Sequence, residues 1–271
     1  SEAAMQAYKP LFRDWPGDGE QSITHDEFAS MVNAISERII HLAKQEPAQW
    51  IDVIPRFARL PEARRRESVS ALEALSHEAL NDKALIEIWH AIEEFVRRHR
   101  QYPDADWSLT EEWLAPLAAV GERLRPRSAT DRHRWLFDSW HPDIGVTVRG
   151  NFTAFKAQLQ RMREEAIVQI LDEEGFGAAA ELANTVRLPW AVGAALAAVD
   201  NEHDYEALSL LDSENGKLVQ FADGFARRRG EGSVTAIQPW LDHFVGRPLV
   251  RARLLHTVAS VAEAWELIPA L

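Results

Sequence analysis

The chain has 271 residues, 46% of them apolar, which is enough for a substantial core and excludes a wholly disordered polypeptide. Its net charge of −12 argues against a non-specific grip on nucleic-acid phosphates, and the absence of cysteine excludes disulfides, thiol nucleophiles and cysteine zinc sites. No run of about 18 apolar residues is present, so no membrane span is expected, and the first ten residues lack the basic and apolar regions of a signal peptide.

Residues 1–22 contain Pro10, Pro16, Gly17 and Gly19 and are expected to form an irregular leader. Thr24-His-Asp-Glu27 has the spacing of a capping box, in which a hydroxyl accepts from an orphan helix N–H and the Glu reaches back. Phe28, Val32, Ile35, Ile39 and Leu42 then recur at helical steps and predict a buried stripe. Glu46-Pro47 ends that helix and opens the next, since proline suits a first helical position. Trp50, Val53, Ile54 and Phe57 fill the i, i+3, i+4, i+7 template, and Leu60-Pro61 repeats the corner. Val69, Leu72, Leu75 and Ala79 predict a further amphipathic helix, closed by the break at Asn81-Asp82.

Leu85, Ile88, Trp89, Ile92, Phe95 and Val96 form the strongest apolar stripe, and Arg97–Arg100 follow where positive charge suits the carbonyl end of a helix. Residues 101–107 read as a loop and Ser108-Leu-Thr-Glu111 as a second capping box. Trp113, Leu117, Val120 and Leu124 carry the next helix. Residues 125–131 (RPRSATD) read as a linker, His133–Asp138 as a short helix, and 139–150 as the least helical stretch, with Val146–Val148 read as a small extended piece. Asn151 is placed to cap a helix through Phe155, Leu159, Met162, Ala166, Ile170 and Leu171.

Gly175 and Gly177 break the pattern, and Leu188-Pro189 turns into a helix of small residues: Ala191, Gly193, Ala194, Ala195, Ala197 and Ala198. Side chains that small let a neighbouring backbone approach closely, so this helix is expected to be sandwiched between others. A short helix follows over Asp204–Leu211, and another carries Leu218, Val219, Phe221, Ala222 and Phe225. Pro239 marks the start of a helix to Phe244, and Leu254, Leu255, Val258, Val261, Ala262 and Trp265 give the last.

The expected architecture is all-α: antiparallel helical hairpins stacked into a solenoid-like or irregular multi-helix array. The expected divisions are a leader at 1–22, an N-terminal helical subdomain at 23–125, a linker at 126–151 and a C-terminal helical-repeat subdomain at 152–271. The recurring X-Pro corners and hairpin units of roughly 30–40 residues make the pattern over 24–268 resemble HEAT-, armadillo- or TPR-type arrays. It matches no consensus string of TPR or ankyrin units. That resemblance implies a curved surface that holds a partner protein. Arginine outnumbers lysine 25 to 5, which suits a GC-rich bacterial genome. Together with the absence of cysteine it suggests a bacterial cytoplasmic protein, and the opening Ser1 and abrupt Leu271 suggest a segment with flanking domains.

Chemistry-bearing motifs are sparse. His133, Asp138, His141 and Asp143 lie close in sequence between Trp135 and Trp140, a set that zinc could use. The favoured reading is turn-forming residues with Trp140 packing the loop. His203-Asp204 resembles the paired ligands of HD-type phosphohydrolases, which need a further His and Asp such as His141 and Asp242. Asp204 is better explained as a helix N-cap. No Gly-x-Ser-x-Gly occurs, and Gly175-Phe-Gly177 lacks the Lys and Ser/Thr of a phosphate loop. The arginine clusters at 64–66, 97–100, 123–127 and 227–229 read as solvated or dipole-matched helix ends.

Ten tryptophans remain. Trp50, Trp89 and Trp265 sit on apolar stripes and read as core. Trp107, Trp113, Trp140, Trp190 and Trp240 stand near corners, where an aromatic ring either seals two hairpins or anchors an interface. The expected function is therefore non-catalytic, without cofactor or metal: protein–protein interaction, scaffolding or sensing, with Trp140, His141, Trp190 and Trp240 as contact residues. The alternatives are a metal-dependent hydrolase using His133, His141, His203 and Asp204, or a nucleic-acid-binding helical array.

Overall fold

The computed structural model describes residues 24–145, 151–230 and 237–258. All regular structure among these residues is helical, and none of them forms a strand. No helix among them is long and apolar enough to cross a membrane. The chain folds as two compact units, Ser1–Ala74 and Leu75–Leu271. This grouping differs from the boundary expected at 126–151. Ala129, Leu136, Phe137 and Ile144 from that stretch share one core with residues from Phe155 to Leu254. The expected leader (1–22), the Val146–Val148 piece and the end of the last helix (Val261, Ala262, Trp265) lie outside the described residues.

The first unit holds α1 (His25–Gln45), α2 (Trp50–Val53) and α3 (Glu62–Glu73). The first capping box forms: the Thr24 hydroxyl accepts from the Glu27 N–H at 3.2 Å, and the Glu27 carboxylate accepts from the Thr24 N–H at 2.9 Å. Trp50, Val53, Ile54 and Phe57 are all buried, as their spacing predicts. Pro55, which has no N–H to donate, falls in their middle, and the chain continues as a 3-10 helix, Ile54–Arg59.

The stripe predicted on α1 is a correction. Ser36, Ile40 and Ala43 face the core, whereas Phe28, Met31, Ile35 and Ile39 are exposed. At 100° per residue these are two adjacent arcs of one wide apolar face, and periodicity alone selects the arc with the larger side chains. Arg64 holds α3 to α1 through Asn33 (3.0 Å) and Glu37 (2.6 Å), and Lys44 pairs with Glu67 at 2.7 Å. The helix expected through Ala79 stops at Glu73, and Ala79 is exposed in a separate turn.

The second unit opens with α4 (Asp82–Gln101), capped by the Asn81 side chain, which accepts from the Ala84 N–H at 2.9 Å. Ile88, Ile92, Phe95 and Val96 are buried; Leu85 and Trp89 are half-buried. The second capping box is absent. Thr110 is the N-cap of α5 (Glu111–Leu124) and makes no side-chain cap bond; Glu111 pairs with Arg100 at 2.8 Å, and the Ser108 hydroxyl donates to the His99 carbonyl at 2.8 Å. The short α6 (Ala129–His133) follows, then a 3-10 turn, Arg134–Phe137.

Asn151 caps α7 (Phe152–Glu174) as expected, accepting from the Ala154 N–H at 3.1 Å. Gly175 stops it at φ 81°, a left-handed conformation that favours glycine. Then come α8 (Phe176–Thr185), α9 (Pro189–Val199) with Pro189 at its first position, α10 (Asp204–Ser209), α11 (Gly216–Gly230), α12 (Gln238–His243) and α13 (Pro248–Val258). The small-residue helix α9 is packed as its composition predicts. A Cβ on Gly193 would stand 1.9 Å from the Phe221 carbonyl oxygen, and one on Gly224 2.1 Å from that of Trp190. Thus α9 and α11 cross backbone to backbone.

Candidate aromatic ledge

The 3-10 turn ending at Phe137 leaves carbonyls without helical partners, and the loop after it is held from several sides. Arg163, in the middle of α7, donates to the Leu136 carbonyl at 3.0 Å and the Ser139 carbonyl at 3.2 Å. Its guanidinium also lies 5.6 Å from the Phe137 ring centroid. From the start of α9, the Leu188 N–H donates to the Phe137 carbonyl at 3.0 Å and the Arg187 N–H to the Asp138 carboxylate at 3.0 Å. Farther on, the Asp143 carboxylate accepts from the Gly145 N–H at 3.1 Å, and Arg97 of α4 donates to the Asp143 carbonyl at 2.6 Å.

Between these anchors the loop lifts Trp140 out of the surface. Its side chain is 64% exposed, and its ring lies 5.1 Å from Trp190 at an interplanar angle of 36°. His141, next along, packs against Phe155 (5.7 Å) and Phe152 (6.2 Å). Phe152 is 52% exposed at the first position of α7, and Lys156 sits one turn on, its Nζ 5.6 Å from the Phe152 ring centroid. Two aromatic pairs, Trp140 with Trp190 and His141 with Phe152, thus start from the adjacent residues 140 and 141 and together make up the ledge. A pairing such as Trp140–Trp190 contributes about 0.5–1.5 kcal/mol. Covering the exposed part of Trp140 is worth about 3 kcal/mol more at roughly 25 cal/mol per Å².

Arg163 is 6% exposed. Burial pushes its pKa down to about 10, so it stays charged at neutral pH. Among the described residues no carboxylate pairs with it. The sequence reading, which put Met162 in the stripe, missed it; the available signal is that Arg163 falls in one helical phase with Phe155, Leu159, Ala166 and Ile170. Phe152, Lys156 and Arg187 carried no comparable signal, because nothing in their spacing ties them to a loop at 138–145.

The predicted contact residues divide. Trp140, His141 and Trp190 come together. Trp240 is a correction: it is 4% exposed in the core of the second unit, on the inward face of the first turn of α12 (Gln238–His243). The alternative metal residues do not converge. His133 Nε2 is hydrogen-bonded to Gln169 at 2.9 Å, and burial lowers its pKa. His203 donates from Nδ1 to Asp200 at 3.0 Å and stacks on Phe176 at 5.0 Å. Asp204 is not the N-cap; it lies in the first turn of α10 and pairs with Arg229 at 3.0 Å. Asp242 accepts from the Gln238 side chain at 2.8 Å. No group of three or more His, Asp or Glu side chains set to hold a metal ion occurs among the described residues.

A second exposed tryptophan, Trp107, is enclosed by its neighbours. It lies against His99 (5.1 Å) and Tyr102 (5.9 Å), with the Arg98 guanidinium 5.4 Å from its ring, and so covers the end of α4. The sequence matches no protein-family model, no curated protein and no solved structure.

Proposed function

We propose that the chain is a non-catalytic helical module that holds a partner protein, and that the Trp140–Trp190–Phe152 ledge is the contact. One observation carries this reading: Trp140 is 64% exposed although its loop is fixed by three separate elements. A large ring held rigidly in water loses little conformational entropy when a partner covers it, which is the property of an interface anchor. The stacked-hairpin arrangement belongs to the same proposal; the crossing of α9 and α11 and the X-Pro corners support it. A reducing cytoplasmic setting in a bacterium fits the absence of cysteine and the preference for arginine.

Site-specific photo-crosslinking tests the reading. Thr153 is exposed beside Phe152, and no bond joins it to the loop among the described residues. A benzophenone amino acid replacing Thr153 is expected to give a discrete protein adduct in bacterial lysate, and Trp140→Ala in the same chain to abolish it. No adduct, or one indifferent to Trp140→Ala, contradicts the proposal.

A further inference from the structure

Among the described residues of the first unit, every exposed large apolar side chain lies on one helix. Phe28, Met31, Ile35 and Ile39 of α1 are 38–42% exposed. At 3.6 residues per turn they keep within an arc of about 80° over about 16 Å of helix. Ser36, Ile40 and Ala43, on the neighbouring arc, are already committed to the core. Single apolar residues at a surface are ordinary, but four in a row along a helix mark a face that another element covers.

The edge of the stripe away from the core says which element. Glu27, Ala34, Arg38, His41 and Gln45 run along it, and His41 is hydrogen-bonded to Gln45 at 3.1 Å. Glu27 and Arg38 are the acid and the arginine of that edge, about 20° apart in helical phase. The capping bonds of Glu27 use one oxygen, Oε2. The midpoint of Glu27 and Arg38 coincides, to within about one residue or 1.5 Å of rise, with that of Phe28 and Ile39. A two-fold axis through that point lays a second α1 antiparallel on the first. Phe28 then meets the second copy's Ile39, Met31 its Ile35 and Glu27 its Arg38, each of them twice. The face is complementary to itself, as an isologous contact must be.

We propose that α1 is a self-association surface: two copies of this chain pair antiparallel through Phe28, Met31, Ile35 and Ile39, with Glu27 of each against Arg38 of the other. The stripe supplies the affinity. At about 200 Å² for a fully exposed side chain of this size, it offers roughly 300 Å² per copy, well short of the about 800 Å² per partner of a stable interface. The pair is therefore transient, with a Kd of about 10–100 μM. Exposed ion pairs add little energy and fix the direction instead. A parallel pair sets Glu27 against Glu27 and Arg38 against Arg38 and aligns the two helix dipoles.

The stripe lies in the first unit and owes nothing to the ledge. Sedimentation equilibrium of the full chain between about 5 and 500 μM tests it, since that range brackets the expected Kd. Wild type is expected to pass from monomer to dimer. Ile35→Glu is expected to stay monomeric throughout, with the circular dichroism and urea midpoint of wild type. The chain has no cysteine, so single-cysteine variants joined by a short bismaleimide report direction. Glu27→Cys mixed with Arg38→Cys is expected to give mainly the 27–38 crosslinked dimer, and each alone little. Self-crosslinking of each variant, or no crosslink in the mixture, overturns the antiparallel pairing. A wild type that remains monomeric overturns the proposal; if Ile35→Glu then also lowers the urea midpoint, the stripe is covered from within the chain. A dimer indifferent to Ile35→Glu places self-association elsewhere and overturns it too.

Discussion

Replacing Gly193 by alanine adds one methyl group where α9 crosses α11. The new Cβ would lie 1.9 Å from the Phe221 carbonyl oxygen, 2.8 Å from the carbonyl carbon and 2.9 Å from the Phe225 nitrogen. These are backbone atoms inside a helix, so no rotamer change relieves the clash. Ordinary contact begins near 3.4 Å, so the axes must part by about 1.5 Å, a gap that forfeits much of the dispersion energy along the crossing. Alanine returns about 1 kcal/mol of helix propensity. Overpacking against soft neighbours costs about 1–3 kcal/mol, and a rigid neighbour places this case at or above the top of that range. The expected net loss is about 3 kcal/mol, a fall in Tm of about 6–12 °C for a domain of this size. Gly177→Ala is the internal control: nothing lies within 4 Å of its Cβ position, and it is expected to stabilise by about 0.5–1 kcal/mol. Thermal and urea unfolding measure both. A Gly193→Ala variant within about 0.5 kcal/mol of wild type would refute the backbone-on-backbone crossing. Because Gly224 abuts the Trp190 carbonyl, Gly224→Ala is expected to disturb the ledge as well as stability.

Three further outcomes are expected. Ile40 is fully buried and its neighbour Ile39 is 38% exposed, so Ile40→Ala should cost about 2–5 kcal/mol and Ile39→Ala under about 1 kcal/mol in urea unfolding; equal losses would place the core on the other arc of α1. Arg163→Met removes both donors to the Leu136 and Ser139 carbonyls, and should cost about 2 kcal/mol and detach Trp140 from Trp190 in tryptophan fluorescence, with Arg163→Lys recovering part; unchanged stability would show that the cation does not hold the loop. Burial, then the Arg98 charge, lowers the His99 pKa, and its Nδ1 accepts from the Leu109 N–H at 3.0 Å. The unfolded chain takes up that proton near pH 6.5 while the folded chain resists, so the contribution is complete above about pH 6.5 and is lost as pH falls through the folded pKa. His99→Gln keeps an acceptor and cannot titrate, so its stability should fall less between pH 7.5 and 5.5, by at most about 1.4 kcal/mol per pH unit; an identical pH dependence would exclude His99 from the linkage.

The all-helical class was legible because the information is local: helical phase, Thr24 and Asn151 at helix starts, Gly175 at a stop, Pro189 at a first turn. The close crossing was legible too, since only backbone contact suits a helix of alanine and glycine. What failed depends on tertiary context. Phe28, Ile35 and Ile39 repeat as a core stripe does, yet α1 offers two apolar arcs and the core took the one with Ser36. Ser108 and Glu111 have the spacing of a capping box, but His99 and Arg100 claim their side chains. At the ledge, Trp140, His141 and Trp190 could be singled out as aromatic residues near corners. Trp240 shared that description and is core, because position along the chain does not tell inward from outward. Lys156 becomes meaningful only once it is seen against the exposed Phe152 ring.

The ledge as a contact surface is tested most directly by hydroxyl-radical footprinting of the chain alone and with the protein crosslinked through position 153. Free, Trp140 and Phe152 should react rapidly and Trp240 slowly. In the complex, Trp140 and Phe152 should be protected while Trp107 and Tyr205 keep their reactivity. Trp140 reacting equally in both states would contradict the account.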